Sequence, residues 1–419
     1  MGVFDRKVLT VAACIICTAW VLGVFLAFPI WAPAWTGEFH MKLGVVMTVF
    51  AASGLLMNVV MPVIGRLLLR IPAWRMVLLG GVLLGGGLIL ATFVRVPAAF
   101  CVLYAIIMGL GVAMAGILPC QALAVSLFPN RVGSIGGMMM VALAVTGVIF
   151  PVTLLPLKAA FGWRPALAVL AAVTLVVVPL LAIVFMRGAA EPGSAAGAHG
   201  AHGAGGSSGA GPIVSTGAFW VMVAGILPML LTASAIQANI TSILADRGVL
   251  SASSMSFAMS ALAVGTAIGA GMFGWLADRI DPRIAVIAVA GLMAVCFLIL
   301  VKGSGLALAA TGAATLGLGS GGITPIMSTF ALRRYGAGYA PAFGLLNFFM
   351  LPYMLGAPLF GFVHDRTGSY NLILLIAAPV IVIGAIGMWS LKSVKSPPSG
   401  AEPLADGPLE TEGARQLQG

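Results

Sequence analysis

Gly274-Trp275-Leu276-Ala277-Asp278-Arg279-Ile280-Asp281-Pro282-Arg283 is a short charged turn between two long uncharged runs, Gly248 to Ala277 and Ile284 to Val301. Some 209 positions earlier the chain does nearly the same thing. There Gly65-Arg66-Leu67-Leu68-Leu69-Arg70-Ile71-Pro72-Ala73-Trp74-Arg75 follows the uncharged run Leu43 to Gly65. A charged hairpin repeated inside a repeated apolar scaffold is the pattern of a two-fold membrane protein.

Composition agrees. Of 419 residues, 61% are hydrophobic and only 8% are Asp, Glu, Lys or Arg, against about 25% in a soluble domain. So few charges cannot cover a water-exposed surface, and the solvent of this chain is lipid. The net charge of +10 would suggest nucleic acid if the basic residues clustered in a soluble domain. They stand singly at the ends of apolar runs instead, which fits anionic headgroups and topology and gives no nucleic-acid partner. Five cysteines, Cys14, Cys17, Cys101, Cys120 and Cys296, fall within apolar runs and imply no disulfide framework. Arg6 and Lys7 precede a run too long for a signal-peptide core, so Val8 onward reads as the first membrane helix.

Twelve apolar windows, from Val8–Ile30 to Tyr370–Leu391, each approach or exceed the roughly 20 residues that cross a bilayer. With the N-terminus cytoplasmic, the external loops hold Lys42, Arg95, Lys158, Arg164, Arg247, Lys302 and Arg366, a third of the 21 basic residues. That bias places both termini inside. The expected architecture is an all-α membrane protein, twelve transmembrane helices in two pseudo-symmetric six-helix bundles: 1–187, then a flexible cytoplasmic linker 188–215, then 216–391, then a disordered cytoplasmic tail 392–419. The linker is rich in Gly, Ala and Ser and cannot bury a core; its His199 and His202 read as solvated. Further echoes support the repeat. Gly109-Leu110-Gly111 with Pro119 returns as Gly317-Leu318-Gly319 with Pro325. Paired six-helix halves are one way in which secondary transporters build alternating access.

On these residues the chain resembles the major facilitator superfamily, over essentially Val8 to Leu391. Gly65 to Arg70 and Gly274 to Arg279 look like the two copies of its Gly-x-Leu-x-Asp-Arg signature. The second copy is intact; in the first, Leu69 occupies the acidic position and Pro72 the later glycine position. The resemblance implies a monomeric transporter in the plasma membrane (a bacterial inner membrane), with Gly65, Arg70, Gly274, Asp278 and Arg279 as gating residues. Phe128-Pro129-Asn130-Arg131-Val132-Gly133, Phe161-Gly162-Trp163-Arg164 and His364-Asp365-Arg366-Thr367-Gly368-Ser369-Tyr370 resemble features of the monocarboxylate and oxalate/formate branch, which implies a monocarboxylate-like anion as substrate.

The interior pulls the other way. No Asp, Glu, Lys or Arg falls near the middle of a window, although such groups are the usual proton relays and ion-pair sites of transporters. The substrate-binding candidates are Trp20, Tyr104, Gln121, Thr232, Gln237 and Thr324, on the windows expected to line a central cavity. Lone amides such as Asn58 and Asn347 also serve as interhelical glue. His364 is the one candidate for proton coupling, because histidine is the side-chain type whose charge changes in the physiological pH range. An uncharged interior suits an apolar or amphiphilic compound, imported or exported, and this stands as the alternative to the anion. Cys14 with Cys17, and Met255 with Met259, raise Cu(I) as a lesser one, although methionine is also common apolar filler. No paired carboxylates, activated nucleophile or cofactor loop points to an enzyme, and no cofactor or structural metal is expected.

Overall fold

The computed structural model describes residues 3–41, 43–187, 213–246, 252–302 and 305–391. The expected tail, His199, His202 and nearly all of the expected linker lie outside the described residues. Among the described residues, twelve helices are long and apolar enough to span a bilayer. In lipid a chain must satisfy its own backbone, and the helix does so within one segment. In chain order these are α1 (Val3–Leu26, continued by Phe28–Glu38), α2 (Leu43–Leu67), α3 (Ala73–Phe93), α4 (Pro97–Ala115, continued by Ile117–Leu127), α5 (Val132–Phe161) and α6 (Trp163–Leu181, with a last wide turn Ala182–Met186). The second set is α7 (Gly217–Asp246), α8 (Ala252–Arg279), α9 (Pro282–Lys302), α10 (Leu306–Tyr335), α11 (Tyr339–Phe349, resumed as Gly356–Thr367) and α12 (Asn371–Gly387).

The helices pair in the same way in each set. In the first half α3 packs on α4 and α6, and α2 on α4; in the second α9 packs on α10 and α12, and α8 on α10. Six spans return each half to the side on which it began. Arg6 donates to the Arg187 carbonyl at 3.2 Å, tying the start of α1 to the end of α6. We call this the terminal side.

The α8–α10 crossing shows why small residues recur. A Cβ built on Gly265, Gly269, Gly317 or Gly321 would sit against a backbone carbonyl of the facing helix, those of Ala314, Leu318, Leu262 and Thr266 respectively. Such approach lets two backbones make close van der Waals contact where no hydrophobic force drives helices together.

Proline and glycine break the helices, and side chains repair the breaks. In α4, Gly116 leaves helical geometry at φ −85°, ψ −143°, and Pro119 has no N–H to give the Ala115 carbonyl. The thiols of Cys17 and Cys120 reach that oxygen at 3.6 and 3.5 Å. In α11 the interruption frees the Tyr353 carbonyl, which accepts from Ser234 of α7 at 2.8 Å.

Opposite the terminal side, Arg164 opens α6 and gathers three helix ends. It bonds Glu38 of α1 at 2.7 Å and donates to the carbonyls of Thr92 and Val94 at the end of α3. The Trp163 indole donates to the same Glu38, and Lys158 donates to the Ile30 carbonyl at 2.5 Å.

Candidate functional site

The halves meet through α2 with α11, and through α5 with α8 and α10. At the terminal side these crossings are built from glycine. A Cβ on Gly65 would lie 2.5 Å from the Ala340 carbonyl oxygen, and one on Gly344 would lie 2.6 Å from that of Met61, which locks α2 on α11. Gly133 and Gly137 of α5 press likewise on Gly274 and Ala270 of α8. Farther along α5, Gly147 has nothing within 4 Å of such a Cβ. These backbone-to-backbone contacts between the halves therefore lie at the terminal side, and we call them the seal.

Asp278 closes it. Helix α5 begins with no side-chain cap of its own, and the first amides of a helix need acceptors. The Asp278 carboxylate supplies them from the other half. Its Oδ1 accepts from the Gly133 amide at 2.6 Å, and its Oδ2 from the Ser134 amide at 2.7 Å and the Ser134 hydroxyl at 2.6 Å. A carboxylate at a helix N-terminus also gains from the helix dipole. Neighbouring arginines fix the turn that carries it. Arg333 of α10 donates to the carbonyls of Ala277, Asp278 and Ile280, capping the end of α8. Arg283 pairs with Asp281 at 2.6 Å and donates to the Leu391 carbonyl at 2.8 Å. Arg279 stays exposed, its guanidinium 4.1 Å from the Trp275 ring centre. In the first copy Gly65 makes the close crossing, while Arg70 points outward as an exposed residue at the end of the turn after α2.

Between the halves runs a line of uncharged polar groups. On α10, Ser320, Thr324 and Ser328 are spaced by four, which stacks them on one face. Gln237 of α7 donates to Ser320 at 3.3 Å. Toward the seal, Gln121 of α4 and Ser328 both flank Gly136 of α5: a Cβ there would be 2.9 Å from the Gln121 amide nitrogen and 3.5 Å from the Ser328 hydroxyl. Gln121 is fully buried, and neither atom of its amide has a partner among the described residues.

Gln237 at Ser320 and Gln121 near Ser328 thus flank the α10 row that carries Thr324, and four other candidates lie elsewhere. Trp20 donates to Thr174 at 3.0 Å and meets Phe150 edge-on at 5.2 Å, inside the first half. Tyr104 is buried in an aromatic cluster with Phe28, Trp35 and Phe100. The Thr232 hydroxyl turns back to the Pro228 carbonyl at 2.7 Å. His364 stacks on Tyr370, ring centres 4.3 Å apart. Asn58 and Asn347 bond to carbonyls of their own helices, those of Gly54 and Phe343.

Arg164, at the start of α6, is held by Glu38 and two carbonyls. Cys17 serves the broken α4, and no group of three or more His, Cys, Asp or Glu side chains among the described residues is arranged to hold a metal ion. Ser134, Ser320, Ser328 and Arg333 join the site without having been singled out from sequence. The four-residue spacing along α10 was a readable signal; the reach of Arg333 was not.

The sequence matches the profile of the Major Facilitator Superfamily over residues 9–350 and again over 213–416. No curated protein matches it. Among solved structures, the human organic anion transporter MFSD10 (TETRAN) superposes with a TM-score of 0.69 at 13% identity, covering 93% of this chain and 100% of its own. A variant of the E. coli fucose:proton symporter FucP does so with 0.64 at 15%, over 92% and 98%. A bacterial homologue of the iron transporter ferroportin, in an outward-facing state, gives 0.65 at 16%, over 92% and 98%.

Proposed function

The chain belongs to the Major Facilitator Superfamily, and from that premise we propose that it moves a small organic solute of amphiphilic character by alternating access, a transporter rather than an enzyme. The observation that carries this reading is the uncharged polar line Gln237–Ser320–Thr324–Ser328–Gln121, sealed at one end by Asp278. The seal lies at the terminal side, and the excess of basic residues there supports a cytoplasmic assignment. The described state then faces outward across a bacterial inner membrane. The chain acts as a monomer, 1–187 and 216–391 forming halves that rock against each other.

Amides and hydroxyls along the line can orient a solute through hydrogen bonds, while the apolar remainder of the path accepts its hydrocarbon. A bare carboxylate would lose its hydration there with no cation to replace it, at a cost of several kcal/mol. The monocarboxylate-like anion implied by the sequence motifs therefore fits best as the protonated acid, taken up with a proton, as a second reading. In that reading His364, which stands outside the line, exchanges the proton at the mouth.

Purified protein reconstituted in vesicles, tested against neutral amphiphiles and short carboxylates with and without a pH gradient, separates these. The proposal expects uptake or export of neutral amphiphiles that Gln237→Leu and Thr324→Val weaken. Carboxylate uptake that is unaffected by either change, and lost with Arg366→Gln, would contradict it.

A further inference from the structure

Beside the gate, and separate from the polar line, a groove of about 540 Å³ opens among α1, α5 and α8. One wall is apolar: Val11, Ala12 and Ile15 of α1 face Ile135 and Met138 of α5. Its terminal-side rim carries two exposed arginines, Arg131 just before α5 and Arg279 of α8, one from each half. Helical spacing puts Lys7 one turn out from Val11 and Ile15 on the same face of α1, and Lys7 is exposed as well. Asp278 is the acidic group among the lining residues, and both its oxygens are turned onto α5. The charge presented outward is therefore cationic, at the end of a slot lined with hydrocarbon.

We infer that this groove binds an anionic phospholipid, its phosphate between Arg131 and Arg279 and its acyl chain along the α1–α5 wall. The charge pattern selects this occupant: a neutral amphiphile leaves two arginines unanswered, and a free phosphate leaves the apolar wall empty. Because Arg131 and Arg279 belong to opposite halves, the lipid contacts both only while the seal holds. A ligand that binds one of two states shifts the population toward it, so anionic lipid favours the sealed state. The site goes beyond the transport reading and is tested without any substrate, so its failure leaves that reading standing.

The test places the full chain in nanodiscs of phosphatidylcholine with increasing phosphatidylglycerol. It follows lipid retention by native mass spectrometry and hydrogen exchange of the amides at the start of α5. Wild type should retain phosphatidylglycerol and gain protection there. Arg131→Gln with Arg279→Gln should raise the half-saturating phosphatidylglycerol fraction at least about tenfold, as expected from two headgroup-level cations. Ala12→Trp, which fills the groove and keeps every charge, should abolish retention and serves if the double variant fails to fold. Equal effects of phosphatidylcholine, equal effects of inorganic phosphate, displacement by a neutral amphiphile alone, or unchanged retention in Ala12→Trp would each overturn the assignment.

Discussion

Asp278 shows how one side chain can couple two halves. A carboxylate fits the start of α5 because that turn presents the Gly133 amide together with both donors of Ser134. Asp278→Ala removes all three bonds and leaves the amides without acceptors. Hydrogen bonds to charged groups are worth about 1.5–3 kcal/mol, so the sealed state should lose about that much and the terminal-side-open population should rise at least tenfold. Accessibility of a cysteine placed on the terminal stretch of α5 measures this. An unchanged labelling rate would mean that the glycine crossings hold the seal alone. Arg70, exposed in the degenerate first copy, should tolerate Ala within about 0.5 kcal/mol of stability, read as an unshifted thermal transition. The difference between the copies was legible in the sequence, since Leu69 stands where the second copy has Asp278. The partners were not: Gly133 and Ser134 lie about 145 residues from Asp278 along the chain, and nothing local marks them. Arg164 illustrates the same limit, because its use depends on Glu38, 126 residues away.

Among the elements, α8 and α10 depend on glycines one turn apart, Gly265 with Gly269 and Gly317 with Gly321. The structure gives each glycine a carbonyl to meet. Gly317→Leu should destabilise the second half by about 1–3 kcal/mol, the usual cost of overpacking, lowering the thermal transition and the yield of folded protein. Gly291 in α9 faces open space, so Gly291→Ala should be neutral or stabilise by up to about 1 kcal/mol through helix propensity. If the two changes behaved alike, close backbone approach would not be what the glycines provide. Helix existence and number were readable from apolar length alone. The interruptions of α1 and α11 were not, because an apolar run looks the same whether its helix is continuous or broken. The break in α4 at Gly116 and Pro119, and the thiols of Cys17 and Cys120 that reach its freed carbonyl, needed the three-dimensional arrangement.

At the scale of the molecule, the two crossings that form the seal differ in chemistry. The α2–α11 crossing rests on Gly65 and Gly344 against backbone, while α5–α8 adds the charged cap of Asp278. The repeat in the sequence announced two halves, and the uncharged windows announced an interior without ion pairs. Which end is closed, and that the polar line runs along α10, follow only from how the halves meet. If they rock as bodies, the two ends must move in opposite senses. Paired spin labels in the reconstituted protein follow both ends at once, with one pair at Arg75 and Arg334 on the terminal side and the other at Phe161 and Leu306 on the opposite side. Each pair is measured with Asp278 intact and with Asp278→Ala. Rocking requires that the replacement lengthen the Arg75–Arg334 distance and shorten the Phe161–Leu306 distance together. Distances that stayed fixed at both ends, or lengthened at both, would contradict it.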